Sequence, residues 1–367
     1  MRTALQIYDV SGFVHCAQNV SDYASRYSHN FPVGGIQYLM KFIVSDLMAY
    51  KDVVLCFDRG RSFRKDIDKR YKAGRIGNKD VWAQLDLLYD LLPQCGLVCH
   101  GRDSFEADDL IYNVVEANDG PYDYQEIEIL GTDYDLTHNI TDGHIRFHSM
   151  SSQVNCVTWY DFSTAMFKDK VILPNTIAAY KIFCGDNSDR IPAFTSKASG
   201  ITGSQFYGKY KELIKKQSGK LSIKQIRSEQ LLRVYLKQLG EVLNNQDMEE
   251  LDRRIRLVYP VKLDDKNNEF KEYSNSKNIN MTALTDFLRV VNDRTSLKTL
   301  KKYYATPPES LIKTVKARGK ALITGEYAVD NNRPLDMSVN SEVVNLKSFS
   351  WRYLSLRLMH SWQIPIS

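Results

Sequence analysis

Two hydrophobic runs, each closed by an aspartate, limit what this chain can fold into more than any other feature. Residues 4–10 read as a strand with Asp9 at its C-terminal end, and Val53-Val54-Leu55-Cys56-Phe57 is an unbroken apolar run closed by Asp58. Continuous apolar strands are the mark of parallel sheets covered on both faces. The stretch between them, residues 32–50, carries Ile36, Leu39, Met40, Ile43, Val44, Leu47 and Met48 at helical spacing, as a crossover helix requires. An open parallel α/β sheet binds its ligands beyond the carboxyl ends of its strands, where both aspartates fall.

Three more acidic stations repeat the arrangement. Glu106-Ala107-Asp108-Asp109 opens a run in which Ala107, Leu110, Ile111, Val114 and Val115 share one face, with Asp103 or Ser104 as the expected cap. Glu126-Ile-Glu-Ile-Leu130 is a strand leading into Asp133 and Asp135. A helix opened by Pro174 ends at Gly185-Asp186-Asn-Ser-Asp189. A helix dipole accounts for acids in one first turn, but not for five such stations. Nine carboxylates on one edge raise one another's pKa unless cations compensate. Hard oxygen donors suit Mg²⁺ or Mn²⁺, and a pair of such ions roughly 4 Å apart can grip one phosphodiester. No histidine lies among the stations, which disfavours zinc.

Charge is distributed to match. Residues 59–75 hold eight Arg and Lys against two Asp, and residues 205–246 hold nine against three Glu. The rest of a chain of net charge +5 is therefore acidic. Basic blocks flanking an acidic centre point to a polyanionic substrate and bound cations. In the first block Phe63 and Tyr71 are interleaved with the basic residues, a pattern that suits phosphate contact and base stacking. Six cysteines form no CxxC pair and sit mostly in apolar runs, so neither structural zinc nor a disulfide framework is expected, and a reducing compartment fits. No apolar run reaches eighteen residues, and the N-terminus reads as a strand rather than a leader, so neither a membrane span nor secretion is expected.

At these stations the chain resembles the flap endonuclease and 5′–3′ exonuclease family, most closely its phage-encoded and bacterial members. The likeness runs through Tyr8-Asp9, Phe57-Asp58, Phe63-Arg64, Tyr71-Lys72-Ala-Gly-Arg75, Glu106-Ala-Asp-Asp109, Thr132-Asp-Tyr-Asp135 and Gly185-Asp-Asn-Ser-Asp189-Arg-Ile, in the family's order and spacing over roughly residues 4–215. It implies a PIN-like 5′ nuclease core: an α/β fold with a mainly parallel central sheet flanked by helices, followed by a helical, helix–hairpin–helix-type duplex-binding part. The implied division is a core over 1–190 with a basic arch or gateway at 59–92, a helix–hairpin–helix-type region over 191–260, and an extension over 261–367 whose role the sequence does not reveal.

By that resemblance two Mg²⁺ or Mn²⁺ ions are held, the first by Asp9, Asp58, Glu106 and Asp108, the second by Asp133, Asp135 and Asp186, with Asp109 and Asp189 in support. Lys72 and Arg75 match the residues that contact the scissile phosphate. Arg59, Arg64 and Lys65 belong to the same nucleic-acid-binding gateway, and Tyr71 matches a base-stacking position. Gly200-Ile201-Thr202-Gly203 resembles the hairpin turn that binds duplex backbone, often through K⁺. Ser204 and Gln205 stand where the family often has a lysine, which leaves the K⁺ site open. The implied activity is metal-dependent hydrolysis at DNA 5′ ends, flaps or duplex, with RNA–DNA hybrid and RNA primers as a further substrate. The implied setting is a cytoplasmic monomer (in the host cytoplasm for a viral protein) working beside a polymerase or single-strand-binding protein. Two rivals stand beside this reading: a non-catalytic nucleic-acid binder on the same fold, and a PIN-class ribonuclease.

Elsewhere the spacing predicts helices over 78–92, 222–244 and 281–292, one starting near Gly203, a strand at 97–99, an antiparallel pair at 144–148 and 154–157, and a polar loop over 260–280. Residues 294–320 carry many Lys and Arg beside Tyr303 and Tyr304, and residues 321–367 show little periodicity.

Overall fold

A computed structural model gives the arrangement of residues 2–75, 77–120, 124–140, 144–150, 176–217, 220–239, 242–265, 268–271 and 278–305. In chain order the elements are β1 (Arg2–Asp9), α1 (Val10–Ala17), β2 (Tyr27–Ser28), β3 (Phe31–Pro32), α2 (Gly34–Met48), β4 (Asp52–Arg59), α3 (Arg64–Ile67), α4 (Lys79–Leu91), β5 (Val98–Asp103), α5 (Ala107–Asn118), β6 (Tyr124–Gly131) and β7 (Ile145–Ser149). Helices follow: α6 (Ile177–Cys184), α7 (Gly203–Lys216), α8 (Ile223–Ile226), α9 (Glu229–Gln238), α10 (Asn245–Val258), α11 (Met281–Val290) and α12 (Arg294–Ala305).

Among the described residues the central sheet has five strands in the order β5-β4-β1-β6-β7, all parallel. The chain leaves β1 toward β4 and β5, then returns to the other side of β1 with β6. That reversal opens a crevice at the carboxyl ends of β1 and β6, the place where an open parallel sheet binds ligands. Alternation along β1 sorts the two faces: Leu5 and Ile7 join α5, α6 and α7 in one core, while Tyr8 meets Phe13 of α1 at 5.3 Å between ring centroids. The core on the α5 face continues into the later helices through Phe183, which stacks on Phe206 at 5.9 Å and meets Tyr235 edge-on at 6.2 Å. The described residues up to Leu300 form one compact unit. No helix among the described residues is long and apolar enough to cross a membrane.

Several local expectations change. Asp9 closes β1 and also caps α1, a helix the sequence reading passed over, by accepting the Gly12 N–H at 3.0 Å. The α5 helix is not capped by Asp103 or Ser104. Glu106 is its N-cap, in a capping box with Asp109. The strand at 145–149 pairs parallel with β6 as the sheet's fifth strand, and its expected antiparallel partner at 154–157 lies outside the described residues. The helix expected over 222–244 is broken, because Ser228 accepts the Leu231 N–H and starts a new helix, α9.

Candidate metal centre

Each acidic station arrives at the sheet's carboxyl edge on a separate element. Asp9 at the end of β1 is 6% exposed and backs onto Gly131 at the end of β6. Asp58, from the end of β4, accepts the Ala107 N–H at 2.8 Å, and its own N–H donates to Ser11 Oγ at 3.3 Å. Those two bonds hold the β4 end against the starts of α1 and α5. Asp108 sits in the first turn of α5. Asp133 caps the short 3₁₀ turn Tyr134–Asn139 by accepting the Asp135 N–H at 3.0 Å. Asp186 follows α6, its carboxylate taking both the N–H and Oγ–H of Ser188, at 2.8 and 2.6 Å. The turn needs Gly185: its φ is +84°, and a Cβ there would come within 2.6 Å of the Ala193 nitrogen.

Carboxylate oxygens of Asp135, Asp186 and Asp189 lie within 4.8 Å of one another. Asp189, expected only in support, is thus a full member of this trio. Asp133 lies toward the other acids, near enough to raise Asp9, Asp108 and Asp135 alike.

Glu106, Asp108, Asp135, Asp186 and Asp189 line one pocket, and the charges link Asp9 and Asp133 to it. Burial, then Asp58 and Asp133, push Asp9 up to about 7. Burial, then Asp133, Asp9 and Asp135, raise Asp108 well above the carboxylate range. Burial and Asp133 raise Asp135 to about 7 against the pull of Lys181. Burial also raises Asp189. For Glu106, burial is outweighed by Lys72 and Arg64, which hold it low, and for Asp186 it is outweighed by Lys181. Carboxylates this close stay ionised together only with added positive charge. The donor set, all hard oxygens with three of them mutually within 4.8 Å, fits a divalent cation such as Mg²⁺ or Mn²⁺.

Two residues that the sequence reading missed lie near the acids, Lys181 lining the pocket and His15 exposed beside it. Lys181 of α6 pairs with Asp135 and, at 2.5 Å, with Asp186. Its signal was a lone lysine on an apolar helix five residues before an acidic station. His15 of α1 is held below its ordinary range by partial desolvation, with Asp58 and Arg75 both near enough to act on it.

The basic stretch divides into inner and outer residues. Lys72 is 20% exposed and its Nζ bonds Glu106 at 2.8 Å. Arg75 is 53% exposed and pairs with Asp189 at 2.6 Å. Both therefore reach the acids, one from within and one from the rim. Arg59 pairs with Asp86 at 3.0 Å and lies over the Tyr89 ring, and Lys65 is half-buried in α3.

Several expectations are corrected here. Arg64 is 3% exposed and bonded to Asp109, Glu106 and the Leu257 and Tyr259 carbonyls, so it cannot meet a phosphate. Tyr71 is 3% exposed, packs against Ile191 and Leu257, and donates its hydroxyl to Glu106 at 2.9 Å, so its ring offers no face to a base. Asp109 is fully buried, with both carboxylate oxygens occupied by Arg64 and backbone N–H groups, so it does not join the acid cluster.

The hairpin differs from expectation too. The Gly200 N–H goes to the Ser196 carbonyl at 2.9 Å, the Thr202 N–H to Gln205 Oε1 at 2.9 Å, and the Gly203 N–H to the Phe194 carbonyl at 2.7 Å. These amides are spent within the chain. Gly203 matters for packing instead: a Cβ there would lie 1.8 Å from the Phe183 carbonyl oxygen, so glycine lets α7 close on α6.

Residues 7–170 match the family model of the 5′-3′ exonuclease N-terminal, resolvase-like domain. The resemblance read from the acidic stations is borne out by that match. DNA polymerase I of Chloroflexus aurantiacus is 26% identical over 173 residues, 46% of this chain and 18% of that protein. DNA polymerase I of Lactococcus lactis subsp. cremoris is 25% identical over 166 residues, 44% of this chain and 19% of that protein. The chain thus spans less than a fifth of the length of these curated relatives. Among solved structures, the bacteriophage T5 flap endonuclease in complex with DNA and metal ions is 16% identical, with 81% of this chain and 98% of that chain covered and a TM-score of 0.46. The catalytic core of Rad2 in complex with DNA substrate is 13% identical, covering 83% and 92%, with a TM-score of 0.46.

Proposed function

We propose that this chain, whose residues 7–170 carry a 5′-3′ exonuclease N-terminal domain, is a structure-specific 5′ nuclease that hydrolyses DNA phosphodiesters with two divalent cations. The observation that carries the reading is geometric: carboxylate oxygens of Asp135, Asp186 and Asp189 lie within 4.8 Å of one another, and Asp135, Asp186 and Asp189 line one pocket with Glu106 and Asp108. A fold gathers carboxylates from separate elements in this way where cations and a polyanion are to meet.

Asp9, Asp58, Glu106 and Asp108 would hold one Mg²⁺ or Mn²⁺, and Asp135, Asp186 and Asp189 the other, with Asp133 between the two groups. Ions bound there supply an acidified water and neutralise charge on the phosphodiester. Lys72 orients Glu106 and offers an ammonium to the scissile phosphate from inside the pocket. Arg75, on the rim, exchanges Asp189 for phosphate as the strand enters. Lys181 remains an ammonium, since burial is outweighed by Asp135, Asp133 and Asp186, and it holds the second group of acids together. The exposed lysines of α7 extend the contact to duplex backbone.

The test is incubation of purified protein with 5′-flap, nicked, blunt and single-stranded DNA and with an RNA–DNA hybrid, in Mg²⁺ or in EDTA. Cleavage from the 5′ side, confined to Mg²⁺ and preferring flap or 5′-end substrates, is expected. Tight binding without cleavage would indicate a non-catalytic binder, and preference for single-stranded RNA would indicate a PIN-class ribonuclease.

A further inference from the structure

Arg64 and Asp109 lie at the centre of a network that the nuclease reading leaves without a task. Arg64 donates through all five of its N–H positions: Nε to the Leu257 carbonyl at 2.9 Å, Nη1 to Glu106 at 3.0 Å and Asp109 at 2.8 Å, Nη2 to Asp109 at 2.7 Å and the Tyr259 carbonyl at 3.2 Å. Asp109 accepts four bonds, two from Arg64, one from the Val261 N–H at 2.9 Å and one from the Glu106 N–H at 3.1 Å. That fills the capacity of a carboxylate, so no lone pair remains for a cation. The two side chains are 3% and 0% exposed.

The network joins three stretches far apart in sequence: the base of the basic loop at α3, the acid-bearing start of α5, and the exit of α10. Among the described residues it reaches the acid pocket through Glu106. That side chain takes Arg64 and Tyr71 on one oxygen, at 3.0 and 2.9 Å, and Lys72 on the other at 2.8 Å. A buried bidentate pair fixes direction as well as distance.

We propose that Arg64 and Asp109 form a positioning clamp that aims Glu106 and Lys72 at the reacting phosphodiester, and that Asp109 is not a metal ligand. The claim that Glu106 acts on substrate rests on the nuclease reading. The clamp itself does not.

The test uses the full-length chain as wild type, Asp109→Asn, Asp108→Asn, and the double variant Arg64→Met with Asp109→Leu. In EDTA, Asp109→Asn leaves the buried guanidinium with Glu106 as its remaining carboxylate partner and should melt about 5 °C lower. The apolar double variant, having no stranded charge, should regain at least half of that loss. Mn²⁺ titration followed by electron paramagnetic resonance should give the double variant the wild-type stoichiometry and an affinity within about threefold, while Asp108→Asn loses more than about tenfold. On a flap substrate at saturating Mg²⁺, the double variant should lose about tenfold or more in kcat with KM little changed, because Glu106 keeps its ligand atoms but loses its aim.

A wild-type melting point for Asp109→Asn, no recovery in the double variant, or Mn²⁺ loss in the double variant matching Asp108→Asn would overturn the clamp. Unchanged kcat in the double variant would overturn its positioning role. If wild type neither binds Mn²⁺ nor cleaves, the nuclease reading fails, and the two melting comparisons in EDTA still decide the clamp.

Discussion

Metal binding at this site should release protons, and the size of the effect follows from the pocket. Burial and neighbouring acids put Asp9 and Asp135 each at about 7. A cation takes only the ionised carboxylate, so binding expels whatever protons the two groups carry. At pH 7 each is half protonated, and together they release about one proton per chain; Asp108, raised as well by burial and by Asp133, acts in the same direction. The sign is fixed: acid competes with metal. For two groups at about 7, combined metal affinity falls about threefold from pH 8 to pH 7 and about thirtyfold more from pH 7 to pH 6. Ordinary carboxylates near 4 would give no change over that range. Lys181, held above its usual value, does not titrate there and adds no proton of its own. Calorimetric Mn²⁺ titration at pH 6, 7 and 8, in buffers of different ionisation enthalpy, reads both affinity and proton count. Fewer than about 0.3 protons released at pH 7, or less than a threefold change between pH 8 and pH 6, would refute the reasoning.

Other outcomes follow from single contacts. Asp186→Asn should abolish cleavage while duplex affinity, measured by anisotropy in Ca²⁺, stays within about threefold; a variant cleaving near the wild-type rate would remove Asp186 from the ligand set. Tyr71→Phe deletes one hydrogen bond to Glu106 and keeps the buried ring, so it should cost about 1 kcal/mol of stability and slow cleavage without weakening single-strand binding; an unchanged cleavage rate would mean that the hydroxyl does not help to place Glu106. Gly203→Ala places a methyl 1.8 Å from the Phe183 carbonyl oxygen and should destabilise by about 3 kcal/mol in urea unfolding; a neutral result would mean that α6 and α7 separate freely.

The parallel sheet was legible because β1 and β4 are largely apolar runs that end in acids, a pattern that survives without tertiary information. The same pattern exposed the acidic stations, most of which converge. What escaped was set by partners distant in sequence. Arg64 and Tyr71 sit in a stretch whose composition suggests solvent, and only Asp109, Glu106 and Leu257, some 35 to 193 residues away, reveal that both are interior. Lys181 was visible as a lone charge on an apolar helix, yet its acids come from two other segments. The α1 helix was hidden because Ser11 and Gly12 are weak helix formers, and Asp9 serves as both strand end and cap. The pairing of β7 is decided by β6 rather than by the run that follows it.

The central claim is that acids from five stations meet to hold two ions against a phosphodiester. Anomalous diffraction at the manganese edge, from crystals of the full chain soaked in Mn²⁺, addresses it most directly. Two peaks roughly 4 Å apart are predicted, one bounded by Asp9 and Asp108 and one by Asp135 and Asp186. No peak in the pocket, or a single ion held by the Asp135, Asp186 and Asp189 trio alone, would contradict it.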